Sequence, residues 1–214
     1  MSLPWMTSND LSAIRPLRPQ GSSRPPERYQ AWLLEKGGLA VDSQPLPAPD
    51  VRLRSPRRED CEMILEWRND PWIVSLAKSR QPVPEHVHRT WFAHQLTRDD
   101  SRLFIIQFRA ECHSGYQDAG IARIDKDPKR EGVALISIYL RREFTGRGIG
   151  GQALRQAVAC AFSVFPDIAI LRAEIQRTNV ASIKSFRRAG FAECPWESGS
   201  DRSADIVDLC IFRT

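Results

Sequence analysis

Val133-Ala134-Leu135-Ile136-Ser137-Ile138-Tyr139-Leu140, followed after a short connection by Thr145-Gly146-Arg147-Gly148-Ile149-Gly150-Gly151, is the stretch that decides the fold. The first run is β-branched and aromatic, and has the length of a strand. Beyond the glycines, Leu154, Ala157, Val158, Ala161, Phe162 and Phe165 recur at three- and four-residue intervals. That spacing marks one apolar face of a helix of roughly four turns. The unit is therefore strand, glycine-rich turn, helix. Such a turn exposes successive backbone N–H groups at a helix N-terminus, whose partial positive charge favours a phosphate. Arg147 adds a full positive charge. A plain glycine-rich connection has the same look, so the rest of the chain must decide.

The chain has 214 residues, 42% hydrophobic and 27% charged, enough for one sizeable core with or without an appendage. No apolar run approaches the roughly 20 residues of a membrane span, and the N-terminus lacks the basic and apolar segments of a secretory signal. Cys61, Cys112, Cys160, Cys194 and Cys210 are scattered and never form a CxxC pair. Reduced, buried thiols in a cytoplasmic protein are expected, with no metal site. The net charge is +5, and residues 1–50 carry equal numbers of acidic and basic side chains. The excess is thus spread over residues 51–214. Spread charge without interleaved aromatics suits an anionic small molecule better than nucleic acid.

Residues 1–50 hold eight of the fifteen prolines and read as an extended arm, with one short amphipathic helix near residues 27–36. The domain proper, residues 51–214, opens with an edge strand at 51–54. A helix over 60–67 is expected to stop at Pro71, and a second helix starts at Pro84. Strands are expected over 103–108, 120–124, 133–140 and 168–175. Asn179 caps a helix with Val180, Ile183 and Phe186 inward, ended by Gly190. Strands at 191–193 and 206–212, with a turn at 199–201, finish the chain. The order predicts an α+β fold, a mixed sheet with helices on both faces.

On these residues the sequence resembles the GNAT superfamily of acetyl-CoA-dependent N-acetyltransferases. The turn at 145–151 is similar to the family's Arg/Gln-x-x-Gly-x-Gly/Ala pattern, with Thr145 at the Arg/Gln position. The run Asn179-Val180-Ala181-Ser182-Ile183-Lys184-Ser185-Phe186-Arg187-Arg188-Ala189-Gly190-Phe191 is similar to its second signature. The resemblance covers roughly residues 51–214. It implies a GNAT-like sheet whose parallel strands 133–140 and 168–175 splay apart at their C-terminal ends. Acetyl-CoA is expected in that gap, with the pantetheine on the backbone of Ile138, Tyr139 and Leu140. The pyrophosphate is expected on Thr145, Gly146, Arg147, Gly148, Ile149, Gly150 and Gly151. Asn179, Ser182, Phe186 and Arg187 are further expected cofactor contacts.

Acetyl transfer to an amine requires something to accept a proton. Glu174, which interrupts an apolar strand beside the splay, is the first candidate; it is equally well read as a partner for Arg172 or Arg177. His88, with His86 beside it, is the alternative. Relatives place a tyrosine as proton donor where this chain has Phe186, so Ser185, Ser182 or water must substitute. Trp67, Arg68, Asn69 and Trp91 lie where relatives shape the acceptor pocket. Glu66-Trp67-Arg68-Asn69, together with residues 137–140 and 181–183, looks most like the branch that acetylates UDP-linked 4-amino sugars, as in pseudaminic acid synthesis. The expected partner is a small-molecule amine, acted on by a monomer or homodimer, with no nucleic acid or membrane involved. A protein N-terminal (ribosomal-type) α-amine acetyltransferase and a non-catalytic acyl-CoA sensor are the rival readings.

Overall fold

The computed structural model describes residues 50–76, 81–110, 115–194 and 205–213. The expected arm lies outside them except for Asp50, as do Cys112 and the turn at 199–201. In chain order the elements are β1 (Asp50–Arg54), α1 (Cys61–Asn69), α2 (Pro71–Leu76), α3 (Glu85–Gln95), β2 (Ser101–Arg109) and β3 (Gln117–Lys126). They continue with β4 (Val133–Leu140), α4 (Ile149–Val164), β5 (Ile170–Gln176), α5 (Val180–Arg188), β6 (Ala192–Glu193) and β7 (Ile206–Phe212). The strands form one seven-stranded sheet in the order β1-β2-β3-β4-β5-β7-β6. β4 and β5 are parallel, and every other neighbouring pair is antiparallel.

The helix ends before Pro71 as expected, and Pro71 itself also opens a further one, α2. Asp70 is extended (φ −53°, ψ 129°), the conformation that a following proline imposes. Its carboxylate Oδ1 then accepts from the Trp72 amide at 2.8 Å, and its carbonyl accepts from the Val74 amide at 2.8 Å. A proline in the first helical position gives up an N–H that no helix would have used.

The pleat assigns each side chain to a face. Along β4, Ala134, Ile136 and Leu140 join Ala153, Leu154 and Ala157 of α4 and Phe186 of α5 in the larger core cluster. Tyr139 points to the other face, into a smaller cluster with Ile64 and Trp67 of α1, Ile73 of α2, and Trp91 and Phe92 of α3. The expected mixed sheet with helices on both faces is therefore found. At Gly120 of β3 the two strands approach so closely that a Cβ would lie 2.1 Å from the Tyr139 carbonyl oxygen.

The end of α5 explains the Gly-Phe part of the sequence signature. Gly190 has φ 98°, which glycine adopts without the steric cost other residues meet. Its amide donates to the Arg187 carbonyl, and the Phe191 amide donates to the Phe186 carbonyl, both at 3.1 Å. The Phe186 and Phe191 rings meet edge to face with centroids 5.0 Å apart. This is a Schellman ending with its apolar contact.

Candidate active site

β4 and β5 pair only at Val133–Ile170, Ala134–Leu171 and Leu135–Arg172, and then separate. The Arg141 amide donates to the Ala119 carbonyl at 2.8 Å, toward β3. Backbone groups alternate sides along a strand. Odd-numbered residues of β4, Tyr139 among them, thus turn their amides to β3, while Ile138 and Leu140 turn theirs into the gap. The gap is lined on its β4 side by peptide groups available to an extended amide-bearing ligand, and a thioester carbonyl beside such an N–H would have its oxyanion stabilised.

The gap ends at the glycine turn. Gly146 and Gly148 have φ of 75° and 78°, and Gly148 caps α4. Among the described residues, the amides of 146–151 donate to no backbone acceptor, and the first such bond is from Gln152 to the Gly148 carbonyl at 3.3 Å. No carboxylate lies in the first turn of α4, and Arg147 is exposed. An open row of amides without competing anions fits a pyrophosphate. The Thr145 hydroxyl is engaged with the Arg142 carbonyl at 2.8 Å. The chemistry of this donor set, peptide groups in the gap and amides at the turn, matches coenzyme A.

Around the second signature, the Asn179 side chain accepts from the Ser182 amide at 3.0 Å and caps α5. Phe186 is buried in the larger core. The Ser185 hydroxyl donates back to the Ala181 carbonyl at 2.9 Å, which commits its proton to the helix. Arg187 is ion-paired with Glu193 at 2.7 Å on the surface.

Register places Arg172, Glu174, Asp208 and Cys210 on the face that carries Tyr139, because paired residues of neighbouring strands share a face. The Arg172 guanidinium lies 2.6 Å from Glu174 and 2.8 Å from Asp208. Glu174 is thus both partner to Arg172 and a largely buried carboxylate beside the gap, its side chain 20% exposed. His88 is fully enclosed: its Nε2 lies 3.0 Å from the Cys61 carbonyl, and its ring stacks on Phe92 at 5.9 Å. Burial pushes its pKa down, partly offset by that carbonyl. His86, by contrast, is exposed.

Trp67 and Trp91 sit in the smaller core cluster, and Arg68 is 1% exposed. The Asn69 side chain both accepts from the Val83 amide at 2.7 Å and donates to its carbonyl at 2.9 Å, clamping the loop before α3. Near this cluster the Arg141 guanidinium lies 5.5 Å from the Trp67 ring centroid. Sequence reasoning assigns no role to Arg141 or Asp208, and takes Ser137 only as part of the run 137–140. A polar residue interrupting an apolar strand was the available signal for the last two, but its meaning depends on register. Cys61, Cys160 and Cys194 all have thiol pKa values raised by burial, Cys194 to about 12 with Cys210 as a hydrogen-bonding neighbour. Of the described cysteines only Cys210 is fully buried, fewer than expected. Among the described residues no cluster of three or more His, Cys, Asp or Glu side chains could hold a metal ion, and no helix is long and apolar enough to cross a membrane.

Residues 50–192 match the family described as "Acetyltransferase (GNAT) domain". The chain belongs to that family, and is an acetyl-CoA-dependent N-acetyltransferase. A domain from Methanocaldococcus jannaschii superposes with a TM-score of 0.63 at 18% identity, over 77% of this chain and 99% of that one. Aminoglycoside acetyltransferase AAC(6')-Ib in complex with coenzyme A gives 0.61 at 20% identity, over 77% and 95%. Spermidine N-acetyltransferase from Vibrio cholerae, in complex with CoA and spermine, gives 0.62 at 15% identity, over 76% and 95%. At these identities the likeness is one of fold. No curated protein matches the chain.

Proposed function

We propose that the protein acetylates the primary amine of a nucleotide-linked amino sugar, by direct attack in a ternary complex in the cytoplasm. The observation that carries the transfer geometry is Glu174, a carboxylate at the open side of the β4–β5 gap, oriented by Arg172 at 2.6 Å. Bound acetyl-CoA supplies the thioester whose carbonyl carbon the amine attacks. The C–N bond forms, the C–S bond breaks, and Glu174 takes the amine's proton directly or through water. Direct attack is favoured over an acyl-cysteine route because the thiols at Cys61, Cys160 and Cys194 are pushed away from the reactive thiolate. A nucleotide-bearing acceptor is supported by the Arg141–Trp67 pair and by the basic excess of residues 51–214, which we read as the catalytic domain with residues 1–50 as an appended arm.

The test is a screen of CoA release against UDP-amino sugars, N-terminal peptides and polyamines. Turnover highest with a UDP-amino sugar is expected; preference for a peptide or a polyamine overturns the acceptor assignment. Glu174→Gln should lower kcat by about 10²-fold, the scale of lost general-base catalysis. Unchanged turnover in that variant removes Glu174 from the role.

A further inference from the structure

Ser137 and Tyr139 sit two residues apart on β4 and present their side chains on one face of the sheet, the face of Arg172, Glu174 and Asp208. Ser137 is 1% exposed and Tyr139 2%. Neither the Ser137 Oγ nor the Tyr139 hydroxyl has a hydrogen-bond partner among the described residues. A buried hydroxyl left unpaired is costly, and native proteins pair nearly all of them. Two such groups in alternation on one strand therefore call for an explanation that a single stray atom would not.

Their position supplies it. The last bonded pair across the parallel strands is Leu135 with Arg172. Ser137 is two residues further along β4 and Glu174 two residues further along β5, so the two flank the first open step of the gap on the same face. Tyr139 is one more step toward the mouth and packs in the cluster that holds Trp67. Burial holds its phenol pKa well above the usual range, and the charge of Arg68 works in the opposite direction. Tyr139 is therefore a neutral donor at any physiological pH.

We propose that the Ser137 and Tyr139 hydroxyls are acceptor-positioning groups, left unpaired in the free enzyme because the substrate completes them. The proposal rests on the acetyl-transfer reading of the gap and deepens it. Two neutral hydroxyls can both donate to and accept from hydroxyl, ether or amide groups flanking the reacting amine. An ammonium can only donate to them, so an acceptor made only of ammonium and methylene groups leaves both O–H donors unmatched. The chemical class is a hydroxylated amine. A site built on buried hydrogen bonds rejects analogues lacking the matching group.

Ser137→Ala and Tyr139→Phe test this with three measurements. Removing an unpaired buried hydroxyl should leave the melting temperature of the free enzyme unchanged or raised, whereas removing a structural hydrogen bond would lower it. Acetyl-CoA binding by calorimetry should stay within about twofold of wild type, because the cofactor meets β4 through backbone. For the amine that turns over best, kcat/KM should fall at least about tenfold in each variant. A melting temperature lowered by several degrees in either variant, or kcat/KM within about twofold of wild type in both, overturns the proposal. Failure of the acceptor assignment reads out separately. If kanamycin, added to the screen as a hydroxylated amine that carries no nucleotide, outperforms every UDP-amino sugar and both variants still lose activity, the nucleotide sugar is wrong and the positioning role stands. If spermine is preferred and neither variant loses activity, the positioning role is wrong.

Discussion

The His88 ring is shut off from water, shares Nε2 with the Cys61 carbonyl at 3.0 Å, and packs against Trp91 and Phe92. Burial lowers its pKa below the ordinary 6.5; the Cys61 carbonyl and Glu62 raise it, and the charge of Arg68 adds to the lowering. As pH falls below about 6.5 the unfolded chain takes up this proton while the folded protein does not, so stability declines from there down toward the depressed folded value. Melting curves between pH 7.5 and 5 should show this loss, and His88→Gln should reduce it; an unchanged acid slope would show that His88 does not titrate on unfolding. At this scale a histidine placed beside the acceptor by sequence is a packing group, and nothing in Glu85-His86-Val87-His88 distinguishes the buried ring from the exposed one. Glu174 was easier to find, because a carboxylate within an apolar run is an anomaly wherever it points. The indoles of Trp67 and Trp91 were harder. A tryptophan near a helix end serves a pocket or a core equally well until the helices are docked.

Glycines made the elements legible. Those at 146, 148 and 190 hold positive φ, and each marks the boundary of a helix that the apolar periodicity had already outlined. Pro71 ends one helix as its sequence predicts; that it also opens the next turns on the Asp70 side chain, whose role no sequence pattern announces. Gly120 carried no sequence signal, since its role is a close approach to a strand some twenty residues away. Gly120→Ala should therefore cost about 3 kcal/mol, from forced separation of β3 and β4. It should also weaken acetyl-CoA binding by displacing Ile138 and Leu140. Denaturant midpoints and calorimetry on the same variant check both, and a variant as stable as wild type would mean that the strands part without strain.

At the scale of the molecule, the chain order of strands and helices, and a mixed sheet with helices on both faces, followed from the alternation of apolar runs and turns; the order of the strands in space did not. The face on which each polar strand residue lies did not, because a shift of one residue in register reverses every side chain. That is why the face shared by Ser137 and Asp208 emerges only with the fold. The three residue pairs between β4 and β5 have a mechanical meaning too. They join two sub-sheets, β1–β4 on one side and β5, β7 and β6 on the other, and so form a seam. A ligand lying along it would act as a weld, adding rungs where the protein has none. Amide exchange should then slow most at Ile138, Leu140 and the turn at 146–151 when acetyl-CoA is added, well ahead of β2 and β3. Uniform slowing across the sheet would mean that the two halves were already one mechanical body, and that the enzyme meets its cofactor as a finished groove instead of a joint that closes around it.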